Sequence, residues 1–143
     1  LPLLTKLHIG TDGDNLDNTK ITQRGLLTLC RLELTSLNIG KVISNIGYNS
    51  YGDEGALGVA RHLPTLQELY ADANKLGWEG VAAVASSLTK LETLSIEDNE
   101  EVSQGVTPLG RLPLLKSLHA RTCDSMQGTP KRRTGLQSHL PSS

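Results

Sequence analysis

One pattern of leucines recurs five times along the chain and constrains its fold more than any other feature. Each copy reads Leu-x-x-Leu-x-apolar, and successive copies start 30, 32, 25 and 24 residues apart. The last two apolar positions are spaced by two residues, the period at which side chains return to one face of a strand. The pattern therefore predicts five similar strands, at Leu4/Leu7/Ile9, Leu34/Leu37/Ile39, Leu66/Leu69/Ala71, Leu91/Leu94/Ile96 and Leu115/Leu118/Ala120.

A helix is predicted after each of the first four strands. In every case a glycine follows the strand, and apolar residues at helical spacing follow the glycine. The run 79–88 is rich in Val and Ala and has the highest helix propensity in the chain. We therefore expect strands and helices to alternate, with helices that contain Gly25, Gly55, Gly80 and Gly105.

These repeats resemble the leucine-rich repeats, and within that family the ribonuclease-inhibitor-like class. The closest match is residues 66–91, where Asn74 takes the family's asparagine position and Gly80 its helix glycine, and Asn99 recurs in the next copy. Residues 52–56 look like the Gly-Ala-x-x-Leu-Ala repeats of bacterial ubiquitin-ligase effectors and some protist proteins. The resemblance implies an α/β leucine-rich repeat solenoid, a curved horseshoe arc with parallel strands on the concave face and helices on the convex face. It also implies that the asparagine amides bond the backbone of neighbouring turns.

Length and register indicate one domain. One hydrophobic core serves a chain of 143 residues, so we expect residues 1–143 to form a single leucine-rich repeat domain of about five repeats. Residues 121–143 are interpreted as a degenerate last repeat or tail. Because residues 1–8 parallel residues 112–119, we also expect a fragment of a longer array. The first two repeats carry seven-residue insertions, at residues 11–17 and 41–47, and the second moves the asparagine position to Asn49.

No set of residues in the sequence predicts catalysis, so we expect no enzyme activity, no catalytic residue and no cofactor. The local motifs of serine hydrolases, phosphate-binding loops and zinc proteases do not occur. Cys30 and Cys123 belong to the first and fifth copies, whose strands should lie roughly 19 Å apart, so no disulfide is expected. His8 and His119 stand at opposite ends of the array, and no metal site is predicted.

The concave face of the predicted sheet is the candidate binding surface. Strand alternation places polar side chains there, acidic in the middle and basic at both ends. Tyrosine is enriched at binding hot spots, so Tyr70 is the predicted centre of the site. Trp78 is interpreted as a packing residue over a strand–helix turn. The predicted partner-binding residues, with side chains on the exposed side of the sheet, are Glu68, Tyr70, Asp72, Ser95, Glu97 and His119.

The leading functional hypothesis is a non-catalytic protein–protein interaction module that binds a macromolecular partner on its concave face. The acidic centre of that face favours a basic protein. The likeness to effector repeats adds a subsidiary hypothesis, substrate recognition within a larger protein such as a ubiquitin ligase. The alternative is a GTPase-activating accessory similar to Ran GTPase activators, although Arg24 and Arg61 are in no arrangement that we can match to it.

Charge and hydropathy disfavour other partner classes. The net charge of −1 argues against nucleic acid, and no stretch approaches the ~18 apolar residues that would cross a membrane. Nothing in the sequence predicts a small-molecule substrate. Cysteines without a predicted disulfide favour an intracellular, cytoplasmic location.

Overall fold

The computed structural model describes residues 3–9, 22–40, 51–99, 102 and 106–121. Short strands alternate with helical segments through these ranges, so the protein has an α/β fold. Both insertions, Asn49, Gly105, Cys123 and residues 122–143 lie outside the described residues. The elements in chain order are β1 (Lys6–His8), α1 (Gln23–Leu29), β2 (Ser36–Asn38), α2 (Gly52–His62), β3 (Glu68–Tyr70), α3 (Trp78–Ser87), β4 (Thr93–Ser95), a 3-10 helix (Thr107–Arg111) and β5 (Ser117–His119).

The five strands form one parallel sheet, in which the spatial order of the strands is their order along the chain. Parallel neighbours need a crossover connection, and each helical segment lies in one. The central leucine of every pattern pairs with the central leucine of the next strand, as the repeat register predicts. This row across the sheet is Leu7, Leu37, Leu69, Leu94 and Leu118.

The apolar core is built from the leucine pattern and one side of the helical segments. Its buried members include the first leucine of each pattern from β2 onward and one apolar residue of each helical segment. Full burial of such a side chain stabilises the fold by about 1.5–3 kcal/mol. These residues are Leu34, Leu66, Leu91 and Leu115 from the patterns, and Leu26, Val59, Val84 and Leu109 from the helical segments.

Cys30 ends the first helical segment and is buried in this core as a free thiol. Burial raises the pKa of the Cys30 thiol to about 11. The thiol is therefore protonated at neutral pH, and Cys30 behaves as a small apolar side chain rather than a nucleophile.

The helical segments differ in length and type. Gly25, Gly55 and Gly80 lie in α1, α2 and α3 as predicted, but the fourth segment is a short 3-10 helix. Pro108 in its first turn lacks an N–H, and Gly110 has low helix propensity, so a longer α-helix is not favoured there. Within the described ranges, no helix has the length and apolarity needed to cross a membrane.

Buried asparagine side chains join neighbouring strand–helix units. Asn99 Oδ1 accepts the backbone N–H groups of Asn74 and Leu76, at 2.9 and 2.8 Å. Its amide Nδ2 donates to the carbonyls of Ala71 and Ile96, at 3.0 and 2.9 Å. One side chain thus satisfies backbone groups of two successive units where no strand ladder reaches them. The bonds that the resemblance implied for this amide are present.

Asn74 repeats the donor half of this arrangement one unit earlier. Its Nδ2 donates to the carbonyls of Ile39 and Asp72, at 3.1 and 2.9 Å. The residue before each asparagine, Ala73 or Asp98, has a positive φ of 52° or 57°. This conformation is unfavourable for a residue with a Cβ. It is held by the continuing ladder, since the Ala73 N–H donates to the Glu97 carbonyl at 2.9 Å.

A carboxylate of one unit caps the helix of the next. Asp53, in the first turn of α2, accepts the N–H groups of Gly77 and Gly80 with Oδ1, at 2.7 and 2.9 Å. The N-cap residue of α3 is Gly77, which has no side chain of its own to do this. A Cβ at Gly80 would lie 2.5 Å from the same oxygen, so a side chain at this position would displace the capping carboxylate.

Trp78 differs from its interpretation as a packing residue, because it is 52% exposed. It is the first residue of α3, whose buried side contains Gly80, Val81 and Val84. Trp78 is two residues from Gly80, and that separation turns a side chain by about 200° around a helix. Its ring therefore lies on the outer side of α3.

We expect Asn99→Ala to lower the free energy of unfolding by at least about 3 kcal/mol, because the buried N–H groups of Asn74 and Leu76 lose their acceptor. Urea denaturation measures this change. Asn38→Ala is the matched control, since Asn38 is only partly buried and, within the described ranges, its side chain accepts a single bond, from Gly40. Equal destabilisation by the two substitutions would show that the buried amide has no special role.

We expect Asp53→Ala to cost about 1–2 kcal/mol, as the loss of an N-cap does. The neighbouring Glu54→Ala should cost less than about 0.5 kcal/mol, because Glu54 is exposed and, among the described residues, accepts a bond only from Gln23. Thermal unfolding of both variants compares them. A Glu54 variant as unstable as the Asp53 variant would contradict the capping role.

Candidate functional site

Polar side chains cover the side of the sheet opposite the buried leucine row. Each central leucine from β2 to β4 is buried, and its two neighbours along the strand point to the other side. The alternation predicted from the sequence is therefore confirmed. We call this surface the open face. It consists of Lys6, His8, Ser36, Asn38, Glu68, Tyr70, Thr93, Ser95, Ser117 and His119, together with Asp72, Glu97 and Arg121, which lie two residues beyond the ends of β3, β4 and β5.

The parallel register sets which of these residues are neighbours. Tyr70 pairs with Ser95, and Ser95 pairs with His119, so these three predicted site residues are adjacent across the sheet. Glu68 belongs to the row before them and pairs with Thr93. Asp72 lies in the row after Tyr70. The sheet thus places Tyr70 between two carboxylates of its own chain segment, with a hydroxyl beside it.

Tyr70 is held in place by its backbone. It lies on the central strand, and its carbonyl accepts the N–H groups of Ile39 and Gly40, at 2.8 and 3.0 Å. The backbone segments that follow β2 and β3 approach closely here: a Cβ on Gly40 would lie 2.7 Å from the Asp72 nitrogen. The half-buried phenol side chain therefore projects from a rigid position on the open face.

Asp72 and Ser95 form a hydrogen-bonded pair. The Ser95 hydroxyl donates to Asp72 Oδ1 at 2.6 Å, and the Glu97 backbone N–H donates to the same oxygen at 2.7 Å. Ser95 is only 6% exposed, so the expectation that its side chain is exposed is wrong, while its contact with a partner stays a prediction. Its hydroxyl faces a neighbouring carboxylate instead of solvent, and Ser95 positions Asp72.

Burial dominates the electrostatics of Asp72. Desolvation raises the pKa of its carboxyl above the usual value, although the bonds from Ser95 and the Glu97 N–H oppose this change. The nearby charges of Glu97 and Asp98 raise the pKa further. The Asp72 charge is therefore poorly compensated.

The other two carboxylates of the predicted site already have cations beside them. Lys6 Nζ lies 4.0 Å from Glu68 Oε2, and Arg121 Nε lies 3.3 Å from Glu97 Oε1. Exposed pairs of this kind are typically worth 0 to about 1 kcal/mol. Asp72 has no such cation among the described residues. The acidic centre predicted from the sequence is thus partly neutralised by weak internal pairs.

His119 lies at the edge of the site, with its Nε2 3.0 Å from the Ser117 hydroxyl oxygen. The pair is exposed, and no carboxylate of the described residues bonds to the ring to complete a catalytic arrangement. The Ser117–His119 pair can donate and accept hydrogen bonds. The described part of the chain also contains no group of three residues that could hold a metal ion.

Sequence analysis missed both hydroxyl pairs, Ser117–His119 and Ser95–Asp72. The first has a signal in the sequence, because residues two apart on a strand point to one side. The second crosses strands and depends on the pairing register, which becomes visible only when the repeats are aligned.

No family model matches this chain, and no curated protein matches its sequence. The molecule is described by its alternating strand–helix units and one all-parallel sheet of five strands.

We expect Asp72→Asn to change how stability depends on pH. A raised pKa means that the folded protein binds the Asp72 proton more tightly than the unfolded chain does. Wild-type stability should therefore fall as pH rises from the usual carboxyl pKa through the raised one, and stay reduced at neutral pH. Asn keeps an oxygen that can accept both hydrogen bonds and carries no charge, so this decline should disappear.

Urea unfolding between pH 3 and pH 8 measures this difference. Glu79→Gln is the control, since it removes the carboxylate of an exposed residue on α3 and should keep the wild-type profile. A neutral-pH stability of Asp72→Asn well below that of the wild type would contradict the argument.

Proposed function

We propose that this chain is a leucine-rich repeat solenoid of the ribonuclease-inhibitor-like class and acts as a non-catalytic protein-interaction module. Three observations support the repeat assignment. The strands pair in chain order, the central leucines form one row, and buried asparagine amides bond the backbone of successive units. Each unit buries its apolar side against its neighbours, which is how repeat proteins acquire a continuous core.

The observation that carries the binding function is the position of Tyr70. An aromatic ring on the central strand of an open sheet face, fixed by two backbone bonds and surrounded by polar groups, has the features of a binding hot spot. Tyrosine gives a large contact area with little conformational entropy to lose. We therefore place the partner over Tyr70, with Glu68, Asp72, Glu97 and His119 around it and Ser95 as the residue that orients Asp72.

The chemistry around Tyr70 favours a basic protein as partner. Glu68 and Glu97 exchange weak internal cations for those of a partner at little cost, because both pairs are exposed to solvent. A subsidiary proposal is substrate recognition within a larger protein such as a ubiquitin ligase, supported by the likeness of residues 52–56 to effector repeats.

The GTPase-activating alternative lacks a supporting feature on this surface. Arg24 and Arg61 are exposed and lie on the helices α1 and α2, not on the strands of the open face. Stimulated GTP hydrolysis by a purified GTPase would nevertheless overturn the non-catalytic proposal.

We expect Tyr70→Ala to weaken partner binding by about 2 kcal/mol, roughly thirtyfold, with little change in folding stability. A photo-crosslinking residue at Thr93, on the open face, first captures the partner from an extract of the source cells, with Ser86 on α3 as the control position. The partner is then identified, purified and titrated calorimetrically.

Trp78→Ala is the matched control for this titration, because Trp78 is also an exposed aromatic residue but lies on α3. Its affinity for the partner should equal that of the wild type. Capture from Ser86 alone, or loss of binding with Trp78→Ala and not with Tyr70→Ala, would move the interface to the helices.

A further inference from the structure

Two carboxylates in and just after β3 lie at equal distances along the chain from Tyr70. Glu68 and Asp72 lie two residues before and two residues after Tyr70. Strand pairing continues past Tyr70, because the N–H groups of Ala71 and Ala73 donate to the carbonyls of Ser95 and Glu97, at 2.8 and 2.9 Å. Four residues of extended parallel chain span about 13 Å. Two carboxylates thus flank an aromatic ring at the repeat distance of an extended peptide.

Internal cations show that the ends of this row attract positive charge. Lys6 belongs to β1 and reaches Glu68 two strands away, over Ser36, whose small side chain leaves the path open. Arg121 follows β5 and reaches back to Glu97. Both basic side chains are largely exposed, so neither is locked in place. They cover the acidic centre loosely, from its two sides.

Asp72 has unused capacity to bind a donor. Both of its hydrogen bonds within the described residues go to Oδ1, so Oδ2 accepts none from this part of the chain. Ser95 and the Glu97 N–H fix the orientation of the carboxylate. Glu97 lies on the same side, and its negative charge is close enough to act on the Asp72 carboxyl.

Resting on the proposed function, we propose that the open face binds an extended basic segment that runs along β3. Two cationic side chains four residues apart contact Glu68 at one end and the Asp72–Glu97 pair at the other, and an uncharged residue between them lies over Tyr70. Side chains two apart in an extended segment point the same way, so all three contacts come from one side of it. Lys6 and Arg121 occupy the carboxylates in the free protein and are displaced by the segment.

The spacing is tested with synthetic peptides of Gly and Ser that contain two Arg residues four, two or six positions apart. Each is titrated into the isotope-labelled full chain near 0.1 M salt, and backbone NMR shifts are followed. The four-residue spacing should bind about twofold to fivefold tighter than the others, because a mismatched peptide loses one ion pair. The largest shifts should fall at Tyr70 and its strand neighbours.

Arg121→Gln tests the displacement. Removal of the internal cation should tighten binding of the four-spaced peptide roughly twofold to fivefold, the range that one exposed ion pair supplies. Arg111→Gln removes the same charge from the 3-10 helix and should change affinity by less than about twofold, as expected for a screened charge distant from the open face. The Arg121 pair is exposed, so this variant should fold.

Two outcomes would overturn this inference while the proposed function stands: equal affinity for all three spacings, or equal tightening by Arg121→Gln and Arg111→Gln. Either outcome would show that net charge alone, and not the spacing of the contacts, causes the binding. A different experiment, the titration of the captured partner, tests the proposed function. That function fails if the partner binds Tyr70→Ala as tightly as the wild type. Spacing-dependent shifts confined to the helices would also overturn the inference.

Discussion

The buried asparagine amides are the interaction on which the rest of this structure depends. After β3 and after β4 the chain turns sharply, and backbone groups in these turns are buried, where water cannot bond them. Asn99 accepts bonds from two N–H groups of the preceding turn and donates to carbonyls on both sides of the boundary between two units. Asn74 donates to carbonyls in the same way at the boundary one unit earlier. Each buried group left unsatisfied would cost about 1–3 kcal/mol. The turns can therefore form only when neighbouring units are in register.

The same dependence between units extends to the helices and the open face. Asp53 in α2 caps α3, and Ser95 on β4 orients Asp72 next to β3. Asp53 and Ser95 thus connect successive strand–helix units. The proposed binding function relies on side chains that these connections do not use, above all Tyr70 and the weakly paired Glu68. In that proposal the buried backbone network keeps these groups preorganised, which reduces the entropy lost on binding.

Most of the fold was accessible from the sequence because its signal is periodic and local. The leucine spacing predicted the strands and their row, and the glycines predicted where three helices lie. Ser95 and Trp78 were misjudged because position along the chain does not determine exposure. A strand position predicts which side Ser95 points to, but the residue next to it across the sheet decides how exposed it is. For Ser95 that neighbour is the Asp72 carboxylate, and for Trp78 the rotation of α3 places the ring outside.

The sequence by itself determined the strand–helix alternation, the buried leucine row and the set of side chains on the open face, because all of these follow from residue type and local period. Tertiary structure alone decided which charges are compensated. Lys6 and Glu68 are 62 positions apart in the chain and meet only through the pairing of three strands, while Asp72 is left without a cation among the described residues. Electrostatic energies depend on distance and burial in space, and neither can be obtained from spacing along the chain.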